Sequence, residues 1–440
     1  AANPESLDVV SRGLIGPAPG NMMDSPSFRK LQPHLGPGQE YVLLMNMPAY
    51  VKMVGETAHP QMGQFMDKAG YGSLELFAMT SRVMGERFED RFVMSVTDKP
   101  SPLSTLFSQA YDGITPLKEA YAVVPAEAVA AANSYVDGAG TYRAGMELVK
   151  GMFDAYKAMG LPMPDLDAEL AKIETAMGVK VAELAGAVKG DLVYWATLAP
   201  AFGPPEIGIS IGCADGVKAQ WLAETLAKLT DVLAKNVSDG PPDVQLPACI
   251  GKVERGGKTI FTETDGSAFM KLPGRDKIPY RISWAVQGSR LVLGTTPAGV
   301  EQRLAALEAK TPGLDPLKMM PPVAEAAAAQ GAMVVDAGSL LAYLAKFGLP
   351  MAVPALGDQP ELQAALTALS NKPDILKSVP PLAMAAYPPR DNVVTSVMWG
   401  PAPYLPTVIG AVGGVAAVAG ARAARQAEQP PAPPPPPPDV

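Results

Sequence analysis

The chain has 440 residues, 48% of them hydrophobic, 18% charged and 6% aromatic, with a formal net charge of −8. That is too long for one ordinary core and predicts about three domains or one recurring architecture. The acidic balance, with no long Lys/Arg cluster, excludes a nucleic-acid partner, which needs a basic patch. The 22 Met predict an adaptable core, and Met-rich surfaces also serve as adaptable binding faces.

Ala1-Ala2-Asn3 shows neither an initiating Met nor an apolar stretch, so no signal peptide is visible, which leaves open one that was cleaved or lies upstream and does not imply a cytoplasmic location. Asn3-Pro4-Glu5-Ser6-Leu7 opens a pattern that returns at Thr296-Pro297-Ala298-Gly299-Val300. The second copy follows a strand-like run, Arg290 to Gly294, and the first follows nothing. The chain is therefore expected to begin inside a structural unit, with a piece upstream. Each opening leads into a short helix, then to Ser25-Pro26 or Asp315-Pro316, read as N-cap plus first-turn proline. A strand follows, Tyr41 to Met45 before Asn46 and Ala332 to Val335 before Asp336. A helical apolar pattern comes next, Tyr50-Val51-Val54 or Leu340-Leu341-Leu344. A third echo runs from Ala131 through Asp137 to Tyr142, Met146 and Leu148. Such self-similarity marks repeated supersecondary units.

Hairpins close the outer copies. Leu74 to Thr80 and Arg91 to Val96 flank Glu86-Arg87-Phe88-Glu89-Asp90-Arg91, read as a solvated hairpin tip. Leu382 to Ala386 and Asn392 to Val397 flank Pro388-Pro389-Arg390-Asp391. Between them, Leu166, Leu170, Ile173 and Met177 mark an amphipathic helix, as do Val217 to Leu233. Strands are expected at Leu192–Leu198 and Ile207–Ile211, and hairpins around Gly256-Gly257 and Gln287-Gly288-Ser289. Hairpins interspersed with helices, without βαβ alternation, predict an α+β fold of repeated antiparallel units with packed helices. The expected boundaries are 1–120 for a first, N-terminally incomplete unit, 121–310 for a central unit, and 311–400 for a second copy of the first. Residues 401–421 form a Gly/Ala-rich helical segment and 422–440 a disordered proline tail. Residues 404–421 carry no charge, include Gly410 and Gly414 at G-x-x-x-G spacing, and precede Arg422 and Arg425. They read either as a membrane helix or as a flexible or buried segment. The tail reads as disordered or as a ligand for an aromatic groove.

Chemistry is thinly signposted. His34 and His59 have no carboxylate or Cys at ligand spacing. There is no G-x-S-x-G, no P-loop and no G-x-G-x-x-G after a strand. Cys213 and Cys249 are not a C-x-x-C pair; they read as buried free thiols or as one disulfide in an oxidising compartment. Asn46, Asp137 and Asp336 could line a common edge, but Asp and Asn at strand-to-helix turns read better as caps. Asn236-Val237-Ser238 is a glycosylation sequon, and Trp195, Trp221, Trp284 and Trp399 read as core. No catalytic, cofactor or metal residue is nominated.

Ile173-Glu174-Thr175-Ala176-Met177-Gly178-Val179-Lys180 before Gly190-Asp191-Leu192-Val193, and Trp284 to Pro297, resemble phrases of large repetitive bacterial proteins of unknown function. Such proteins are common in planctomycete-type bacteria and usually predicted to be exported. The resemblance spans residues 20–400 and implies an envelope or periplasmic location. The expected function is thus a non-enzymatic envelope protein that binds or scaffolds through repeated units. The alternatives are a carrier of an apolar ligand between sheet and Met-rich helices, and a hydrolase with an unrecognised carboxylate site.

Overall fold

The computed structural model describes residues 25–57, 60–97, 101–109, 115–199, 205–237, 249–264, 280–321, 328–352 and 360–403. The strands are β1 (Tyr41–Asn46), β2 (Leu74–Met84), β3 (Arg87–Val96), β4 (Ala130–Asp137), β5 (Val188–Thr197), β6 (Glu206–Cys213) and β7 (Ile250–Arg255). They continue as β8 (Lys258–Glu263), β9 (Ser283–Gln287), β10 (Arg290–Gly294), β11 (Gly331–Val335), β12 (Leu382–Arg390) and β13 (Val393–Gly400). All belong to one antiparallel sheet in the order β1-β2-β3-β13-β12-β11-β4-β5-β6-β10-β9-β8-β7. With helices interspersed between the hairpins, the fold is α+β.

The helices are α1 (Pro26–Leu31), α2 (Met47–Thr57), α3 (Pro60–Ala69), α4 (Pro102–Gln109), α5 (Leu117–Ala120), α6 (Gly138–Ala158) and α7 (Leu166–Met177). Then come α8 (Val181–Ala187), α9 (Gly216–Val237), α10 (Pro297–Glu308), α11 (Ala337–Tyr343), α12 (Leu349–Ala352) and α13 (Pro360–Asn371). Helix α7 shows why these boundaries fall where they do. Asp165 Oδ1 accepts from the N–H groups of Asp167 and Ala168, acidic residues fill the first turn, and Gly178 ends the helix at φ 66°.

Five strands run directly into helices, and each junction is closed by a side-chain oxygen accepting from the N–H three residues on. Asn46 caps Ala49 at 3.0 Å, Asp137 caps Gly140 at 3.3 Å and Asp215 caps Lys218 at 2.7 Å. Thr296 caps Gly299 at 3.0 Å and Asp336 caps Ser339 at 2.9 Å. Capping is thus the role of Asn46, Asp137 and Asp336. They do not share an edge: β11 pairs antiparallel with β4, so Asp336 and Asp137 lie at opposite ends of the sheet. Ser25 and Asp315 are also N-caps, with Oγ and Oδ1 accepting from Phe28 and Leu317 N–H.

The sheet has two faces. One carries Trp195 and Trp399 and is here called the tryptophan face; the other carries Met333, Met384 and Met398 and is called the methionine face. Directly paired residues share a face. A row on the tryptophan face runs Glu89, Trp399, Ala383, Val334, Ala131, Trp195, Gly208 across seven strands. Small residues alternate with the two indoles, so the indoles have room: a Cβ on Gly208 would lie 2.0 Å from Trp195 Cζ2. The largest core covers this face with Tyr121 and Val123 after α5, Val300 and Leu304 of α10, and Leu314 and Met320. Tyr121 Oη donates to the Ala332 carbonyl at 2.8 Å, and burial pushes its pKa far up. A second core packs α9 onto the methionine face at β6, β10 and β9, where Trp284 Nε1 donates to the Ala223 carbonyl at 3.0 Å. Trp195, Trp284 and Trp399 are buried and Trp221 is partly buried.

Two turn expectations are corrected. The tip of the first hairpin is Gly85-Glu86, with Gly85 at φ 60°, and β3 already begins at Arg87. Glu89, Asp90 and Arg91 are 1%, 2% and 5% exposed. They form no solvated tip, because the sheet continues past them on both flanks. In the last hairpin the turn is Asp391-Asn392, at φ 52° and 59°, a type I′ geometry. Pro388 and Pro389 stay within β12, where the register with β13 shifts between Tyr387 and Arg390; a bulge is where proline's missing N–H is tolerated. Residues 1–24 and 404–440 lie outside the described residues, and with them the opening of the first copy, the apolar segment and the proline tail. Among the described residues no helix is long and apolar enough to cross a membrane.

Candidate functional site

Alternation along β3 turns Glu89 and Arg91 to the tryptophan face, with Arg82 and Trp399 directly opposite Glu89 on the flanking strands. Arg82 Nη2 donates to Glu89 Oε2 at 2.9 Å, Arg91 Nε to Oε1 at 2.8 Å, and Trp399 Nε1 to Oε2 at 3.2 Å. Burial pushes the Glu89 pKa up. The hydrogen bonds from Arg82 and Arg91, the Arg91 charge and the indole N–H outweigh it, and the carboxyl is held below its usual range. Arg82 Nη1 also donates to the Pro37 carbonyl at 3.0 Å, tying the loop before β1 to this centre. Gly36, at φ 78°, lies so close that a Cβ there would sit 2.7 Å from Arg91 Nε. An ionised, triply bonded carboxylate is the reverse of a general acid poised near neutral pH.

A second buried carboxylate lies five strands away. Asp191 on β5, 2% exposed, accepts from Arg290 Nη2 at 3.1 Å, and Arg290 Nη1 reaches Ser210 Oγ at 3.5 Å. Room for it comes from glycine: Gly190 sits at φ 138°, and a Cβ on Gly212 would meet Asp191 N at 2.8 Å.

The methionine face is different in kind. Met398, Met384, Met333, Ala132, Tyr194 and Ile209 oppose one another in turn from β13 to β6. Beside them runs a second row, Leu382, Val335, Ala130, Ala196 and Ile207. None of these eleven is buried; Tyr194 is 44% and Ile207 46% exposed. Two parallel apolar rows, five to six strands wide, thus lie on this face, exposed at Tyr194 and Ile207 and half-buried elsewhere.

At their centre β4 and β11 part. Their pairing ends at Asn133 and Ala332. Asn133 closes the fork with its side chain: Oδ1 accepts from Ala332 N at 2.8 Å and Nδ2 donates to the Gln330 carbonyl at 3.4 Å. The fork leaves a half-open cleft of about 190 Å³, lined by Ser134, Tyr135, Gly331, Met333, Met384 and Ala386 among others.

His34 ends the 3-10 turn Gln32–His34, with Nδ1 3.4 Å from Thr395 Oγ1; His59 lies outside the described residues. Of the two readings for Cys213 and Cys249, the structure has buried free thiols, and burial pushes the Cys213 pKa up to about 11. Asn236 lies in α9, while Ser238 of its sequon lies outside the described residues. Among the described residues no group of three or more His, Cys, Asp or Glu could hold a metal ion. Neither the carboxylate clusters nor the apolar rows were legible beforehand, because each joins strands remote in sequence. The chain matches no family model, and no curated protein or solved structure matches it.

Proposed function

We propose that this is a non-enzymatic binding and scaffolding protein of the bacterial cell envelope, built from one recurrent unit. The unit is a strand, an Asp or Asn cap, helices and a pair of antiparallel strands, occurring as β1–β3, β4–β6 and β11–β13. The observation that carries the binding reading is the pair of apolar rows on the methionine face, none of them fully buried and exposed at Tyr194 and Ile207. Monomeric proteins rarely leave a contiguous apolar surface wider than a few hundred Å² in water, and Met side chains adapt to varied partners. The engagement of Glu89 and Asp191 with arginines favours binding over hydrolysis. The envelope location rests on the resemblance to repetitive proteins usually predicted to be exported. A second reading, a carrier of a small apolar ligand, is favoured by the cleft between β4 and β11. At about 190 Å³ that cleft falls below the roughly 300–1,000 Å³ of usual ligand sites, so the broad face is the stronger candidate.

The test places a photo-crosslinking amino acid at Tyr194 of the full chain in its native cells. A discrete protein adduct in the envelope fraction, lost in Met333→Lys, is expected. No adduct, or recovery of the chain from the cytosolic fraction, overturns the reading.

A further inference from the structure

We infer that β1 is a self-association edge, pairing antiparallel with β1 of a second copy about a two-fold axis near Val42, so that two sheets become one. This rests on the recurrent-unit reading above, which makes β1, β4 and β11 equivalent first strands.

The two ends of the sheet are built differently. The β7 end carries exposed Lys252, Glu254 and Arg255, and charge on an edge discourages strand addition. The β1 end reads Tyr-Val-Leu-Leu-Met-Asn, with no charge, proline or glycine. Tyr41 is 54% and Val42 51% exposed. Strand β2 takes one flank of β1, and no strand among the described residues takes the other. A β-rich apolar strand with an open flank is a template for another strand.

What the partner is follows from pairing inside the chain. Like strands pair with like: the last strands β3 and β13 pair antiparallel, with Arg91 opposite Val397. The first strands β4 and β11 also pair antiparallel, with Asn133 opposite Ala332. Asn133 and Ala332 each stand four residues before a capping Asp, Asp137 and Asp336. The same step back from the cap Asn46 is Val42. Among the described residues strand β1 is the one first strand without a like partner, and a second copy supplies it. With Val42 opposite Val42, Tyr41 faces Leu43 and Glu40 faces Leu44, so no two carboxylates oppose each other. The net charge of −8 then acts only at long range, where salt screens it.

A short strand pair is a small interface, so the dimer is expected to be weak, with a Kd on the order of 10–100 µM that tightens with salt. Sedimentation velocity of the full chain from about 1 to about 300 µM reads it. Val42→Lys is expected to weaken association at least about tenfold, while Val42→Thr, uncharged and β-branched, keeps it. Val42→Cys with a short bis-maleimide is expected to give covalent dimers, and the wild-type chain, whose two thiols are buried, none. A monomer at every concentration, unchanged dimerisation of Val42→Lys, or no crosslinking of Val42→Cys overturns the inference. So does hydrogen-exchange protection of residues 41–46 that is already complete in the monomer, since the chain itself would then cover the edge. Each of these failures leaves the Tyr194 adduct unaffected and so is distinguishable from failure of the binding reading.

Discussion

Replacing Glu89 by Gln removes one charge and almost no volume, which isolates the electrostatics of the buried cluster. In the wild-type chain the carboxylate takes one guanidinium on each oxygen and the Trp399 indole on one of them. The Arg91 side chain is 6% exposed and that of Arg82 19%, so neither cation recovers full hydration when its partner is neutralised. Breaking a buried ion pair by removing one partner costs about 3–5 kcal/mol, most of it the uncompensated charge left behind. With a urea m-value of about 2–3 kcal/mol/M, the midpoint falls by roughly 1–2.5 M. Trp399 lies inside the cluster and its fluorescence follows the loss. The pH dependence has a fixed sign. The folded pKa of Glu89 lies below its unfolded value, so its contribution is complete above the unfolded value, roughly pH 4, and is lost as pH falls through the folded value. Glu89→Gln should lack this acid-side component while keeping those of other carboxylates. A midpoint loss worth less than about 1 kcal/mol would show that the pair behaves as an exposed one and refute the argument.

Gly208→Ala drives a Cβ into the Trp195 ring and should cost about 1–3 kcal/mol by overpacking, with a changed near-UV circular dichroism spectrum; an unchanged spectrum and stability would contradict the packing. Asp336→Ala loses the bonds from Ser339 N and Oγ and should cost about 1–2 kcal/mol, Asn46→Ala about 1 kcal/mol, and Asp336→Asn much less. If Asp336→Asn proves as damaging as Asp336→Ala, the charge and not the cap matters, and the equivalence with Asn46 fails. Iodoacetamide at pH 8 should leave Cys213 unmodified in the folded chain, because burial holds its thiol near 11, and should modify it once urea unfolds the protein. Labelling of the folded chain seen by mass spectrometry would place that thiol in solvent.

Local order was legible in the sequence because it is decided by neighbours. The spacing of Leu166, Leu170, Ile173 and Met177 by three and four placed α7 at Leu166–Met177, and Gly256-Gly257 placed the β7–β8 turn. The same reasoning found Asn46, Asp137 and Asp336, since a cap speaks to an N–H three residues away. It misread Glu86 to Arg91, because a charged run looks solvated until strands on both sides bury it. It misread Pro388-Pro389, because the bulge that accommodates them belongs to the pairing of β12 with β13. The order of the sheet was out of reach: β3 meets β13, and β11 meets β4, across separations that no periodicity encodes. Only that order puts Arg82, Glu89 and Trp399 in one buried cluster, leaves the methionine rows short of full burial, and exposes β1 at an edge. Caps, turns and amphipathic helices are short-range hydrogen bonding and alternation, which the sequence by itself determines. Burial, ion pairing and exposed face are properties of which strands come together, and only the tertiary structure decides them.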